Sequence, residues 1–203
     1  MTRPVESVPP PHVAIVLAAG RSRRLGQPKQ LLVVDGETLL RRAVRFAIAS
    51  GAAETFVVLG ADAESLRESL KGLACRERVC TRDDMASSLR TGLHAVSAPC
   101  AAALVVLTDQ PALDAAHLQA LVARWRCDPQ RAVASAYADV IGVPAVLPRA
   151  WFAPLLAAEG DHGARELLRT NADSVYRVEA AQLAFDIDAA HDLQRWRDSG
   201  GSA

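Results

Sequence analysis

Aromatic residues are scarce, with 4 Phe, 3 Trp and 2 Tyr making up 4% of 203 residues. So few rings exclude a surface built mainly of base-stacking platforms. Net charge is missing as well: 23 Lys and Arg balance 23 Asp and Glu. Without a basic excess, neither nucleic acid nor an anionic membrane surface is an expected partner. Cysteine is limited to Cys75, Cys80, Cys100 and Cys127, with no C-x-x-C pair and no H-E-x-x-H in the chain. These cysteines therefore read as free thiols of a cytoplasmic protein, mostly core filler, rather than as a zinc site or a redox motif. No apolar run approaches the roughly 18 residues of a membrane span. The segment that carries Pro9, Pro10 and Pro11 has no apolar stretch ahead of a small-residue cleavage site. It reads as an extended lead-in over residues 1–11, not a signal peptide.

Half of the residues are hydrophobic, enough for one domain of this length to bury a core without disulfide staples. Short β-branched runs alternate with helical periods. Val13–Leu17, Thr55–Leu59 and Ala102–Leu107 read as buried strands. Thr38–Ser50, Asp62–Lys71, Met85–Val96 and Asp114–Arg126 read as helices, with Gly51 closing the first, and Asp62 and Asp114 capping two others. Ala132–Tyr137 and Val140–Leu147 are expected strands around a turn at Ala138–Asp139, and Gly163–Arg169 and His191–Arg197 are expected helices. Val175–Val178 and Ala184–Ile187 read as short late strands, and Ser199–Ala203 as a frayed tail. This alternation predicts an α/β fold, a mostly parallel sheet with helices on both faces. Ligands of such sheets bind outside the carboxyl ends of the strands, which directs attention to the residues after Leu17, Leu59 and Leu107.

The loop after Leu17 runs Ala18-Ala19-Gly20-Arg21-Ser22-Arg23-Arg24-Leu25-Gly26-Gln27-Pro28-Lys29. It matches neither G-x-G-x-x-G nor G-x-x-x-x-G-K-[ST]. Its small residues still let backbone N–H groups approach phosphate oxygens, and Ser22 adds a hydroxyl. Arg21, Arg23, Arg24 and Lys29 place four cations within nine residues. That crowding suits an anionic ligand; a solvated basic loop is the plain alternative. Asp109 follows the third strand, where a hard oxygen ligand suits Mg²⁺ or Mn²⁺; it could instead cap a helix starting near Leu113, although Asp114 is better placed for that. Asp186 and Asp188 alternate on a short segment, and two like charges so close call for a cation or donor. Asp188 could also cap a helix near Ala190. Gly160–Arg165 offers tight backbone and a guanidinium for phosphate, or simply a loop feeding a helix. Ser87 and Ser88 open a helix whose N-terminus favours anions, or are ordinary caps.

The stretch LAAGRSRRLGQPKQLL resembles the signature L-A-A-G-x-S-x-R-x-G-x-P-K-x-L-L of nucleotidyltransferases of the molybdenum-cofactor type. The resemblance continues at Asp84–Leu93, Leu107–Pro111, Gly142–Pro144, Gly160–Arg165 and Asp186–Asp188, from about His12 to about Leu193. The ordered set is most similar to the molybdenum cofactor cytidylyltransferase family. It departs from that family at Val143, where a His is frequent, and at Asp84, where a Gly is frequent.

The resemblance implies a single-domain, Rossmann-like three-layer αβα sandwich of the nucleotide-diphospho-sugar transferase type over residues 12–198. Its nucleotide-binding half would span about 12–110 and its acceptor-binding half about 111–198. It implies Mg²⁺-dependent transfer of CMP from CTP to the terminal phosphate of a molybdenum-bearing pterin. The product would pass to a molybdoenzyme or its chaperone. Arg24, Lys29 and Asp109 would be catalytic, with Asp109 and Asp188 on the metal. Leu17, Ala18, Ala19, Gly20, Ser22, Gly60, Asp62, Ser87 and Ser88 would join Arg24 and Lys29 around the nucleotide. Gly142, Pro144, Gly163 and Arg165 would face the acceptor. Another phosphorylated acceptor, guanylyl transfer, or a non-catalytic module that delivers cofactor to a partner are the alternatives.

Overall fold

The computed structural model of the chain describes residues 9–22, 25–61, 63–96, 99–160, 163–187 and 190–198. Its strands are β1 (His12–Ala18), a two-residue pair β2 (Val33–Val34) and β3 (Glu37–Thr38), β4 (Thr55–Leu59), β5 (Arg76–Val79), β6 (Ala102–Leu107), β7 (Val133–Tyr137), β8 (Val140–Pro148) and β9 (Tyr176–Glu179). The helices are α1 (Leu39–Ala49), α2 (Ala63–Leu66), α3 (Met85–His94), α4 (Ala115–Cys127), α5 (Phe152–Ala157), α6 (Ala164–Thr170) and α7 (Ala190–Asp198). Seven strands form one sheet in the order β5-β4-β1-β6-β8-β7-β9. β5, β4, β1 and β6 run parallel, as do β7 and β9; β8 is antiparallel to both of its neighbours.

The unbroken apolar run of β1 follows from this layering, because every one of its residues is buried. Val13, Ile15 and Leu17 pack with Leu89 of α3 and Phe152 of α5 on one face. Ala14, Val16 and Ala18 pack with Leu40 of α1 and Leu118 of α4 on the other. A strand with one wet face would alternate instead. Thr38 caps α1 through its Oγ1 on the Arg41 N–H, and Asp114 caps α4 through its Oδ1 on the His117 N–H at 2.7 Å. Asp114 thus does for α4 what Asp109 does not.

Several expectations need correction. The helix expected over Asp62–Lys71 is two pieces, α2 and a 3₁₀ turn at Arg67–Leu70, stopped by Gly72 at φ +77°. Ala184–Ile187 is not a strand. A 3₁₀ turn at Ala181–Ala184 leads into irregular chain, because Ile187 is drawn into a small separate core with Leu32, Val34 and Leu39. β5 and α5 carry no clear sequence signal. β5 reads RERV on the sheet edge, where one open side lets charge replace alternation. All four cysteines are free, two of them buried. The expectations for residues 1–8 and 199–203 lie outside the described residues.

Two buried histidines tie the layers together. Ser50 Oγ donates to the Ala47 carbonyl, so it accepts from His12 Nε2 at 3.1 Å; Ser135 Oγ donates to the Pro144 carbonyl, so it accepts from His117 Nε2 at 2.8 Å. Burial first, and Arg126 second, lower the His12 pKa to about 4. Burial also lowers that of His117. Above the unfolded pKa near 6.5 both states of His12 are neutral, and stability is at its full value. As pH falls from 6.5 towards about 4, the unfolded imidazole takes a proton that the folded one refuses, and stability drops. The expected loss from His12 between pH 8 and pH 5 is about 2 kcal/mol. Urea unfolding of the parent and of His12→Gln at the two pH values checks this: the variant must show a flatter acid limb, and an equal slope would remove His12 as the cause.

Candidate functional site

β1 lies between β4 and β6, with Ala18 opposite Leu59 and Leu17 opposite Leu107. The three loops named from the sequence therefore leave the sheet side by side. The first is shaped by its own residues. Ser22 adopts φ +47°; its carbonyl accepts from Leu25 N–H and its Oγ from Lys29 N–H, both at 2.9 Å. The loop thus turns back, and Lys29 reaches the end of β6. Lys29 Nζ and Asp109 Oδ2 are 2.7 Å apart, with side chains 15% and 18% exposed. Gly60, after β4, has no room for a side chain, since a Cβ there would stand 2.5 Å from the Ala19 carbonyl oxygen.

A cleft of about 220 Å³ opens between this loop and the start of α3. Ala19, Gly20, Lys29, Asp84, Ser88 and Asp109 lie on its walls. Arg21 Nε, 3.4 Å from Asp83 Oδ2, ties the loop to the segment before α3. A second cavity of about 340 Å³ shares Leu17, Met85 and Leu107 with the first. Its further walls include Tyr137, Gly142, Gly163, Arg165 and Asp186 among apolar side chains. The two spaces form one trough along the carboxyl edge of the sheet.

The second space is built around the β7–β8 hairpin. Its turn residues Ala138 and Asp139 both have positive φ, +47° and +60°, the backbone of a tight two-residue hairpin. The Tyr137 hydroxyl donates to the Val143 carbonyl at 3.0 Å. A Cβ on Gly142 would stand 2.7 Å from that hydroxyl, so glycine is what admits the ring. Burial first, then the Asp186 carboxylate, push the Tyr137 phenol up, which keeps it a neutral donor. Gln110, one residue past Asp109, is buried and donates to the Leu183 carbonyl at 3.3 Å. Ile187 N–H donates to the Asp109 carbonyl at 2.9 Å. The late acidic segment is thereby pinned beside Asp109.

A divalent ion fits these donors. Asp109 Oδ1 is buried and has no hydrogen-bond partner among the described residues. Such an oxygen is costly unless it meets a cation or water. No cluster of three or more His, Cys, Asp or Glu able to hold a metal occurs among the described residues. An ion at Asp109 would then draw most of its ligands from phosphate and water, the habit of Mg²⁺.

Leu17, Ala19, Gly20, Lys29, Ser88 and Asp109 line the first cleft. Gly142, Gly163 and Arg165 line the second. Ala18, Ser22 and Gly60 shape the loop from behind or within: the Ala18 carbonyl is held by Gln30 and Ser22 is bound by Lys29. Ser87 is buried, its N–H on Asp84 Oδ1 at 2.8 Å. That contact is the first cause holding the Asp84 carboxyl below its ordinary value. Pro144 is buried in β8 with its carbonyl on Ser135, and does not line the cavity. Arg90 donates to the Ala158 carbonyl at 2.5 Å and fastens the loop before α6. Arg24, Asp62 and Asp188 lie outside the described residues. Sequence reading missed Gln30, Tyr137 and Gln110 as parts of the site. The signal the sequence offers is position: Gln30 follows Lys29 and Gln110 follows Asp109 inside the quoted motifs, and Tyr137 stands five residues before Gly142.

Residues 14–175 match the model of the MobA-like NTP transferase domain. The chain belongs to that family. The MobA-like match takes in Lys29, Asp109, Tyr137 and Arg165, and stops before Asp186. The chain is 30% identical over 198 residues to nicotine blue oxidoreductase of Paenarthrobacter nicotinovorans, covering 89% of this chain and 94% of that protein. It is 27% identical over 203 residues to the purine catabolism protein PucB of Bacillus subtilis, covering 91% and 95%. Among solved structures, Rv0371c of Mycobacterium tuberculosis superposes with a TM-score of 0.82 at 28% identity over 93% of this chain and 98% of that one. A manganese complex of Rv0371c gives 0.77 at 26% identity, covering 93% and 99%. Molybdopterin-guanine dinucleotide biosynthesis protein A of Archaeoglobus fulgidus shares the fold at 16% identity, with a TM-score of 0.67 over 93% and 98%. The α/β fold with its mostly parallel seven-stranded sheet is that of nucleotidyltransferases. Among the described residues no helix is long and apolar enough to cross a membrane.

Proposed function

We propose that this MobA-like transferase moves CMP from CTP to the terminal phosphate of a molybdenum-bearing pterin in the cytoplasm, releasing pyrophosphate and forming molybdopterin cytosine dinucleotide. The observation that carries the reading is the two-part trough. One part pairs a lysine and an aspartate beside a small-residue loop. The other is mostly apolar, with one phenol, one guanidinium and one carboxylate. The apolar side chains suit the faces of a heterocycle, and Arg165 suits its phosphate tail.

An oxygen of the acceptor phosphate attacks the α-phosphorus of CTP. A new P–O bond forms, the bond to the β-phosphate oxygen breaks, and pyrophosphate leaves with the electron pair. The nucleophile belongs to the substrate, so the chain supplies position and charge. Lys29 offers positive charge to the phosphates, and Arg24 joins it. Backbone around Ala19 and Gly20 approaches the phosphates, and Ser88 and Asp84 border the nucleoside. Arg165 holds the acceptor phosphate. Mg²⁺ or Mn²⁺ on Asp109, with Asp188, would neutralise phosphate charge. A molybdoenzyme or its chaperone receives the product.

Pyrophosphate release tests this with CTP or GTP, in Mg²⁺, with and without the pterin acceptor. Release with CTP only when the pterin is present is expected. Release with GTP alone, or with a sugar phosphate acceptor, would overturn the stated specificity. A second reading, oxidoreduction, is favoured by the name of the 30% identical relative, nicotine blue oxidoreductase. Oxidation of NADH or NADPH in the same samples, without pyrophosphate release, would favour it instead.

A further inference from the structure

Gln30 follows Lys29 in a 3₁₀ turn and is 1% exposed. Its Nε2 donates to two carbonyls of the first loop, Ala18 O at 2.9 Å and Gly20 O at 2.7 Å. A primary amide has two N–H bonds, and both are spent on this loop. The two carbonyl partners also fix which end of the amide is nitrogen. From another side, Gly60 makes room for the carbonyl between them, Ala19 O. The carbonyls of residues 18 and 20 are thus held by Gln30, and Gly60 leaves the space that the carbonyl between them occupies.

Across a trans peptide the carbonyl and the next N–H point oppositely, and Val143-Pro144 is the one cis bond among the described residues. Anchoring the Ala18 and Gly20 carbonyls on Gln30 therefore turns the N–H groups of Ala19 and Arg21 away from it. We infer that Gln30 is a positioning residue, which sets the backbone N–H groups of the β1 loop into the arrangement that receives a polyphosphate. The inference rests on the reading that this loop holds the triphosphate, and adds how the loop is kept in shape without the second and third glycines of other phosphate loops. Gln30 itself touches no phosphate in this scheme; it acts through the loop.

The test is binding of inorganic triphosphate by calorimetry, a probe that needs neither a particular base nor an acceptor. Gln30→Met keeps volume and loses both donors. It is expected to weaken triphosphate binding by about tenfold or more and to raise the KM for the nucleotide by a similar factor. The kcat at saturation should change less. Gly60→Ala pushes on the same loop from the other side and is expected to give the same pattern, which keeps the test open should Gln30→Met not fold. A stable variant that binds triphosphate as the parent does would overturn the inference while leaving the phosphate-loop reading intact. A parent that does not bind triphosphate at all would overturn both.

Discussion

Asp109→Asn is expected to slow pyrophosphate release by at least about 10²-fold, with some loss of stability, because the Lys29 ammonium loses its ion pair with Asp109. Asparagine keeps the shape of the side chain and its place at the end of β6. It loses the charge that Lys29 meets at 2.7 Å and that a divalent ion would share. The amide also offers N–H donors where phosphate and metal chemistry asks for an oxygen. Asparagine has one oxygen for two positions, the one that meets Lys29 and the buried Oδ1, which has no hydrogen-bond partner among the described residues. Raising the Mg²⁺ concentration should recover part of the rate if weaker ion binding is the cause. An unchanged rate at low Mg²⁺ would take Asp109 out of the site.

Lys29→Met should act on both rate and stability. On the proposed reaction the rate should fall by about 10²-fold or more, because the cation that would meet the polyphosphate is gone. Stability should fall as well, because the Asp109 carboxylate, 18% exposed, keeps its charge and loses this ion pair. Breaking a fully buried pair costs about 3–5 kcal/mol; partial exposure reduces that here to about 1–3 kcal/mol. The combination Lys29→Met with Asp109→Asn separates the two effects. Removing both charges should restore much of the stability lost in Lys29→Met alone, while activity stays low. Urea unfolding of the three variants checks the stability cycle. A double variant no more stable than the sum of the singles would mean that the pair is not coupled.

The strands at the centre of the sheet were legible because they are buried on both faces, and a covered strand has little choice but continuous apolar sequence. Asp114 was legible as a cap because capping is local chemistry. Elements at the margin were not. β5 carries arginine and glutamate on an open edge, and the segment ending at Ile187 is held by a few distant side chains rather than by a ladder. The same division runs through the site. Asp109 and Lys29 stand in ordered motifs at strand ends, and topology puts ligands there. Gln30 and Gln110 share those motifs but have no charge to mark them, and Tyr137 lies outside the motifs. Each matters through a carbonyl or cavity contributed by residues far along the chain.

By itself, the sequence determined the α/β alternation, the positions of the covered strands and the cap of α4. All of these depend on neighbours within a few residues. Only the tertiary structure decided that residues 29 and 109 meet, that Ile187 docks against Asp109, and that the hairpin at 138–139 closes a second cavity beside the first. The physical reason is distance along the chain: a charge pair or a cavity wall shared by residues 80 apart leaves no periodicity or spacing for a reader of one sequence to find.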